Sequence, residues 1–362
     1  MQFIYKPLQQ FIPGPILQQI NTAAANLAGK LLNLDFTSMA ISDYNKAYLN
    51  RKMRKLVPNL QIYTYLLALA LQDQPLDFSA ATFVDYGGGS GMLSLLAREL
   101  GFGTVIYNDI YDVSCIDAAV IGKTLQYQAD AYITGDIDAV LAYVKRAAIN
   151  IDIIASFDVI EHIYDLESFF TKLYTLSSRP FVFSFGSGAN IHNKRASRPI
   201  IKRQIEKELQ DKQHYAGRKE RDSLESYFKV REQIIQAAGQ NLQEDEIEQL
   251  ARQTRGLIKA DILQCLTEYV KTGQISYQPD HPTNTCDPLT GNWEEHLLPV
   301  SRFREIVTRC GFTAAVFNGY YGTSRQGYVQ TIKNIINSLI YHLKRGGLGL
   351  APYFVIHAKK NG

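Results

Sequence analysis

The chain has 362 residues, of which 46% are hydrophobic and 20% charged, which is enough for one large domain with an insertion or for two ordinary domains. Its net charge of +3 does not by itself favour a nucleic-acid-binding protein. The four cysteines are scattered without a C-x-x-C pair, which argues against a disulfide framework or a zinc ribbon and favours a reducing compartment.

The first 80 residues are predicted to be mainly helical. Pro13 and Pro15 interrupt the short apolar start, so it does not resemble a signal peptide. The most apolar helix candidate, 62–71, is far shorter than the roughly 20 residues of a membrane span, so we expect a cytoplasmic protein without one. A basic cluster in the helical region 43–71 indicates a solvated helix face, or alternatively a lid that directs a cation at a ligand carboxylate. The cluster contains Lys46, Arg51, Lys52, Arg54 and Lys55.

From residue 82 onward, strand-like and helical segments alternate. The pattern predicts strands at 82–86, 103–109, 131–136, 151–160 and 179–185, and helices at 92–100, 113–125, 137–148 and 166–177. Such alternation is typical of βαβ units, which build a parallel sheet covered by helices on both faces. Ligands of these sheets bind at the carboxyl ends of the strands, near the point where the strand order reverses.

Each of the first four predicted strands carries an aspartate near its carboxyl end. These residues are Asp85, Asp109, Asp136 and Asp158. A single aspartate at such a position is usually a helix cap or a turn former. Four in matching positions predict a shared crevice lined with carboxylates.

The regular alternation stops after residue 186. Residues 194–272 are predicted to form two or three helices, and strands return only at 313–321 and 353–359, with helices at 301–309 and 328–343. We therefore predict an N-terminal helical lid (1–80), an α/β core (81–190), a helical cap insert expected to contact the ligand (191–295), and the rest of the core (296–362).

The stretch T-F-V-D-Y-G-G-G-S-G at 82–91 joins the first strand to the first helix of the core. A dinucleotide fingerprint G-x-G-x-x-G that begins at Gly87 would need glycine where Met92 stands. One that begins at Gly88 would need glycine where Ser90 stands. A P-loop is excluded as well, because no Gly-Lys-Ser/Thr follows.

The spacing that is present, D-x-G-x-G-x-G, resembles motif I of the class I S-adenosylmethionine-dependent methyltransferases. The resemblance extends in order over about 80–190 and 293–360, and it implies a doubly wound, mostly parallel, seven-stranded Rossmann-like sheet with S-adenosyl-L-methionine as cofactor. It places Asp109 at the ribose hydroxyls and Asp136 at the adenine amino group. The implied cofactor-binding set is Asp85, Gly87, Gly89, Gly91, Asp109, Ile110, Asp136, Ile137 and Phe157.

The segment S-F-D-V-I-E-H-I-Y-D at 156–165 resembles the family's fourth motif. It supplies Asp158, Glu161 and His162 as predicted catalytic residues, close together if the chain turns helically after the strand. The Glu-His pair could simply cap this turn, His162 could be a general base, or the group could hold a divalent cation on the acceptor oxygen. The metal alternative resembles the E-x-x-E-H of ubiquinone-pathway O-methyltransferases and small-RNA 2′-O-methyltransferases, in which His296 would be a further ligand beside Glu161 and His162. Asp158 replaces the first glutamate of that motif, and we favour a base or orienting role over a metal.

The acceptor cannot be read directly from the sequence. The interpretation we favour is O-methylation of a small molecule or a saccharide, with RNA not favoured because no basic stripe with interleaved aromatic residues occurs. A non-catalytic cofactor-binding or interaction protein on the same core is the alternative from another class. Candidate acceptor contacts are His192, Tyr215, Tyr227, Tyr269, Tyr277, Trp293 and Tyr320, of which we prefer Trp293.

Overall fold

The structure is a computed structural model that describes residues 2–5, 12–72, 77–211, 223–239, 242–324 and 327–361. The chain divides into two compact units. The first comprises Met1–Ile160, Leu166–Gly188 and Val300–Gly362, and the second comprises Glu161–Asp165 and Ala189–Pro299. His296 therefore belongs to the second unit, although the sequence suggested that the core resumes there.

The first unit is built on a seven-stranded sheet in the order β3-β2-β1-β4-β5-β7-β6. Strands β1 to β5 run parallel, and β7 lies antiparallel between β5 and β6. This arrangement confirms the predicted doubly wound, mostly parallel seven-stranded fold of the class I methyltransferases. The strands are β1 (Thr82–Tyr86), β2 (Thr104–Asp109), β3 (Ala131–Thr134), β4 (Ile153–Phe157), β5 (Phe181–Ser187), β6 (Thr313–Asn318) and β7 (Phe354–Lys360).

Helices cover this sheet, as expected for parallel strands rich in Val, Ile and Phe. Every residue of β1 and β5 is buried, and Leu27, Leu66 and Leu96 from three different helices share one core with β2. The helices are α1 (Gly14–Leu32), α2 (Asp43–Arg54), α3 (Leu56–Leu71), α4 (Met92–Leu100), α5 (Asp112–Leu125), α6 (Ile137–Ala147), α7 (Leu166–Tyr174), α12 (Val300–Arg309) and α13 (Gly327–His342).

The second unit contains α8 (Lys194–Leu209), α9 (Tyr227–Ala238), α10 (Glu244–Gln253) and α11 (Lys259–Thr272). Its described part thus has four helices, where the sequence predicted two or three. The extra break lies at Gly256, whose φ of +83° is favourable only for glycine and separates α10 from α11. Their apolar faces bury a separate core that includes Ile234, Leu250 and Ile262.

Two further properties of the described residues concern the cysteines and the hydrophobicity of the helices. All four cysteines are free. None of the helices described is long and apolar enough to cross a membrane.

Candidate cofactor and catalytic sites

The strand order brings the four aspartates to one edge of the sheet. Because β3, β2, β1 and β4 are neighbours and parallel, the carboxyl ends of these strands lie side by side. The strand order reverses between β1 and β4, so the ligand crevice expected of this fold lies at Asp85 and Asp158. The glycine turn that follows β1 lies at the same point.

The turn after β1 is shaped by glycines that no other residue could replace without strain. Gly87, Gly89 and Gly91 all have positive φ, of +68°, +55° and +73°. A Cβ on Gly87 would lie 2.5 Å from Val159, and one on Gly88 would lie 2.5 Å from Tyr107. The turn is therefore lined by backbone, and it is held in shape by hydrogen bonds from the N–H groups of Gly88, Gly89 and Gly91 to Asn108, Asp109 and Gly88.

Asp85, predicted to bind cofactor, instead caps the helix that follows the turn. Its Oδ2 accepts hydrogen bonds from the backbone N–H (2.9 Å) and the hydroxyl (2.8 Å) of Ser94, in the first turn of α4. The N-cap residue Gly91 has no side chain, so Asp85 satisfies a donor that would otherwise remain orphaned. Burial raises the pKa of Asp85 to about 7, against the lowering effect of Ser94, with Asp109 adding a further upward shift.

We expect the Asp85→Asn variant to lose part of the pH dependence of stability. The folded pKa lies above the usual 3.8, so the contribution of Asp85 is fully present below that value and is lost as pH rises through about 7. The corresponding decrease in the free energy of unfolding is on the order of 4 kcal/mol. Asparagine keeps an acceptor for Ser94 but does not ionise. Urea unfolding at pH 5 and pH 8 should show a steeper decline for the native protein, and equal declines in both proteins would contradict this assignment.

Asp109, at the end of β2, is held against the glycine turn. Its Oδ2 accepts from the N–H of Gly89 (2.9 Å), and its Oδ1 accepts from the N–H of Tyr111 (2.9 Å). The hydroxyl of Tyr107 donates to the carbonyl of Gly89 (2.5 Å) and fixes the turn from the other side. Carboxylate oxygens are acceptors, which is the chemistry that neighbouring hydroxyl groups need.

The other predicted cofactor residues differ in their hydrogen bonds, burial and packing. Asp136 is the N-cap of α6, where its side chain accepts from the N–H of Asp138 (3.0 Å), so the usual capping role applies to it. Ile137 is buried in the core, whereas Ile110, just beyond β2, is 43% exposed and offers an apolar surface to a flat ring. Phe157 packs edge-on against Tyr353, with ring centroids 5.4 Å apart.

Helix α2 supplies Tyr48, which the sequence did not single out, and Lys52, which it named only as a member of the basic cluster. The hydroxyl of Tyr48 lies 3.3 Å from where a Cβ of Gly89 would be, so this side chain covers the turn. Lys52 is half-buried one turn later, with Nζ 3.4 Å from the hydroxyl of Tyr63. Burial opposes its charge, but Tyr63, Tyr48 and Asp158 outweigh this and hold the pKa of Lys52 above its usual range.

Lys52 therefore does not fit the interpretation of its basic cluster as a solvated helix face. Arg51, Arg54 and Lys55 are exposed, as that interpretation predicts, but Lys52 points inward to two tyrosines and an aspartate. The distinguishing sequence feature is its spacing from Tyr48, because residues four apart share one face of a helix.

A buried carboxylate on α5 fastens α2 in this position. Asp117 accepts hydrogen bonds from the N–H of Ser42 (3.2 Å), from its hydroxyl, and from the Asn45 side chain (2.7 Å). Ser42 is the N-cap of α2, so the negative charge also lies at the positive end of the helix dipole. This anchor fixes the register of Tyr48 and Lys52 over the glycine turn.

Asp158 follows β4 and is held by backbone donors and acceptors. Its N–H donates to the carbonyl of Gly186 (2.9 Å), and its Oδ1 accepts from the N–H of Gly188 (2.8 Å). Its φ of +59° lies in the left-handed region, which aspartate tolerates better than most residues. The side chain is thus fixed beside the switch point in an unusual backbone conformation.

Glu161 and His162 lie in the 3-10 turn Ile160–His162, which confirms the helical turn expected after β4. Within the second unit, Nδ1 of His162 lies 2.7 Å from the carbonyl oxygen of Trp293. A carbonyl can only accept, so Nδ1 carries the proton and the neutral ring keeps its basic lone pair on Nε2. The N–H of His296 also donates to the carbonyl of Glu161 (2.8 Å), so the two segments are joined through their backbones.

Trp293, our preferred acceptor contact, instead belongs to the interior of the second unit. It is 6% exposed and lies between the rings of His296 (centroids 3.9 Å apart) and Tyr164 (5.7 Å). A Cβ on Gly256 would lie 3.0 Å from its six-membered ring. The stack holds the Trp293 carbonyl in place for His162. Tyr227 and Tyr320 are buried as well, and Tyr215 lies outside the described residues.

The residues present do not form the predicted metal site. Nε2 of His296 lies 3.5 Å from Oδ2 of Asp280, and its ring is stacked flat on Trp293, so it is not grouped with Glu161 and His162 as a ligand set. Burial lowers the pKa of His296. In the described parts of the chain, no three His, Cys, Asp or Glu side chains are placed so that they could hold a metal ion.

No protein-family model matches the sequence, and a search of curated proteins finds no match. Similar solved structures include an S-adenosylmethionine-dependent methyltransferase from Mesorhizobium loti (12% identity, 78% of this chain and 93% of that one, TM-score 0.36). The plantazolicin methyltransferase BpumL in complex with SAH is 14% identical over 96% of this chain and 100% of that one, with a TM-score of 0.40. The CurJ carbon methyltransferase is 11% identical over 99% and 70%, with a TM-score of 0.42. Similarity this low carries no argument about the reaction, so the fold assignment rests on the strand order.

Proposed function

We propose that the chain is an S-adenosylmethionine-dependent methyltransferase that methylates a hydroxyl group of a small molecule or a saccharide. The observation that carries the proposal is the Asp109 carboxylate bound to the N–H of Gly89, at the edge of a glycine turn that matches neither a dinucleotide nor a P-loop pattern. We assign this carboxylate to the two hydroxyls of a ribose.

The chemistry of the surrounding groups supports the same ligand. S-adenosylmethionine offers a diol, an adenine amine, an ammonium and a carboxylate, but no phosphate. Asp109 and Asp136 are acceptors for the diol and the amine, and Ile110 is an exposed apolar surface for the adenine ring. Lys52 is a half-buried member of its basic cluster whose ammonium lies 3.4 Å from the hydroxyl of Tyr63, and it suits the methionine carboxylate.

His162 is the group we assign to the acceptor. Its Nδ1–H is bound to the Trp293 carbonyl, which orients the ring and makes Nε2 the basic nitrogen that we assign to the proton of an acceptor hydroxyl. When bound, S-adenosylmethionine would supply the methyl group from its sulfonium to that oxygen, with the C–S bond broken and the neutral thioether S-adenosylhomocysteine as the second product. Asp158 and Glu161 stay predicted catalytic residues, Asp158 because it is fixed beside the switch point.

Methyl transfer can be tested with methyl-labelled cofactor and pooled small-molecule and oligosaccharide acceptors. We expect label in a product that resists mild hydrolysis, as an ether does, together with formation of S-adenosylhomocysteine. Cofactor binding without transfer to any pool would favour the non-catalytic alternative. Label in added RNA alone would contradict the acceptor class, and exhaustive chelation should leave the rate unchanged.

We expect Lys52→Met to lower the affinity for S-adenosylmethionine about tenfold, because the methionine carboxylate loses its cationic partner. Arg54→Met is the matched control, since this side chain is on the same helix but exposed. Calorimetric titration of both variants measures the difference. Equal affinities in the two variants would show that Lys52 does not bind the cofactor.

A further inference from the structure

Helix α13 lies in an insertion between the two strands of an antiparallel pair. Strands β6 and β7 are hydrogen-bonded neighbours, yet residues 319–353 separate them in sequence. Such pairs are usually joined by two to about five residues. The helix is anchored on its inner side by Asn337, whose side chain accepts from the N–H of Tyr321 (2.8 Å) and donates to its carbonyl (2.9 Å), and by the buried Ile340.

The outer side of α13 carries a continuous row of exposed apolar side chains. The row is spaced by four, three, four and four residues, so its members follow one face of the helix and its C-terminal end. They are between 47% and 71% exposed and comprise Tyr328, Ile332, Ile335, Leu339 and Leu343. Single exposed apolar residues are ordinary, but a row of five along one helix indicates a surface that becomes covered.

The segment of the chain that carries this apolar row contains only positive charges. No Asp or Glu occurs after Glu305, and residues 306–362 contain seven Lys and Arg residues, more than the surplus of +3 for the whole chain. Lys344 and Arg345 are exposed immediately beyond the helix, next to Leu343. Lys333 points back to the protein, where its ammonium donates to the carbonyl of Gly322 (2.9 Å).

We propose that α13 is a docking surface for an anionic membrane, on which the helix lies flat with its apolar row in the headgroup region. An apolar helix face that ends in two exposed cations, Lys344 and Arg345, and has no acidic residue is suited to a negatively charged lipid surface. Two copies of α13 packed together would instead bring their basic residues close with no carboxylate in the segment to neutralise them. The 16-residue helix extends about 24 Å and lies on the membrane without spanning it.

Cosedimentation with vesicles tests this surface in the full-length protein. We expect binding to phosphatidylcholine vesicles that contain phosphatidylglycerol, little binding to pure phosphatidylcholine, and release by high salt. Ile335→Glu and the double variant Lys344→Glu with Arg345→Glu should each reduce binding about tenfold or more. Val270→Glu is the control, because Val270 is 71% exposed but lies on α11.

Two results would overturn the proposal. One is vesicle binding that is absent in the native protein or unaffected by the α13 variants. The other is a dimer in sedimentation velocity that Ile335→Glu dissociates, since the row would then be covered by a second copy. Unchanged thermal unfolding of Ile335→Glu and Val270→Glu shows that each variant is folded, as expected for exposed positions.

Discussion

Replacing Asp109 by alanine is expected to lower the affinity for S-adenosylmethionine about a hundredfold. The substitution removes the acceptor proposed for both ribose hydroxyls, and two lost hydrogen bonds to a charged group are worth roughly 3 kcal/mol. It also removes the acceptor for the N–H of Gly89, so the glycine turn loses a contact that fixes its shape. Isothermal titration of the purified variant with the cofactor measures the loss directly.

Two further substitutions separate binding from folding at this position. Asp109→Asn retains one carbonyl oxygen for the backbone N–H groups but presents an amide N–H₂ in place of the second acceptor, so we expect an intermediate loss of affinity. Asp77→Ala removes a comparable capping carboxylate, which accepts from the N–H of Ser79 before β1, and should leave affinity unchanged. If Asp77→Ala weakened the affinity as much as Asp109→Ala, the effect would be one of general stability.

His162→Ala is expected to reduce the methyl-transfer rate by about 10²- to 10⁴-fold, the range typical of a lost general base. Affinity for the cofactor should stay within about twofold of the native value. The assay is single-turnover transfer of labelled methyl to the acceptor found in the screen.

The control for His162 is His296, whose N–H donates to the carbonyl of the neighbouring Glu161. His296→Gln alters a buried ring that stacks on Trp293, so it should lower stability with a smaller effect on the rate. A native-like rate in His162→Ala would exclude a base role and favour a purely positional mechanism, in which proximity and desolvation supply the acceleration.

Most of the core of the fold could be predicted because local pattern and tertiary environment agree there. The run 82–100 has a buried strand, a glycine turn and an amphipathic helix in succession, and β1 and α4 have the predicted bounds. The strand at 151–160 was predicted too long because its apolar run continues to Ile160, although the backbone leaves the sheet after Phe157, at the left-handed Asp158.

The chemistry of the candidate site could be predicted where the residue type alone determines it. It could not be predicted where it depends on contacts with residues that are distant in the sequence. The sequence could place Asp85 and Asp109 at strand ends. It could not show that one oxygen of Asp85 accepts two hydrogen bonds from Ser94. The inward direction of Lys52 depends on Asp117, which lies 65 positions further along the chain. Trp293 was interpreted as a surface contact because a turn-rich loop surrounds it, yet its two flanking rings bury it.

Titration calorimetry of the native protein with S-adenosylmethionine, S-adenosylhomocysteine and ATP tests the central claim most directly. A site built on carboxylates and bare glycine backbone, without a P-loop lysine, should bind both sulfur compounds at one site per chain and should reject the triphosphate. Absence of binding by either sulfur compound, or preferential binding of ATP, would contradict the account.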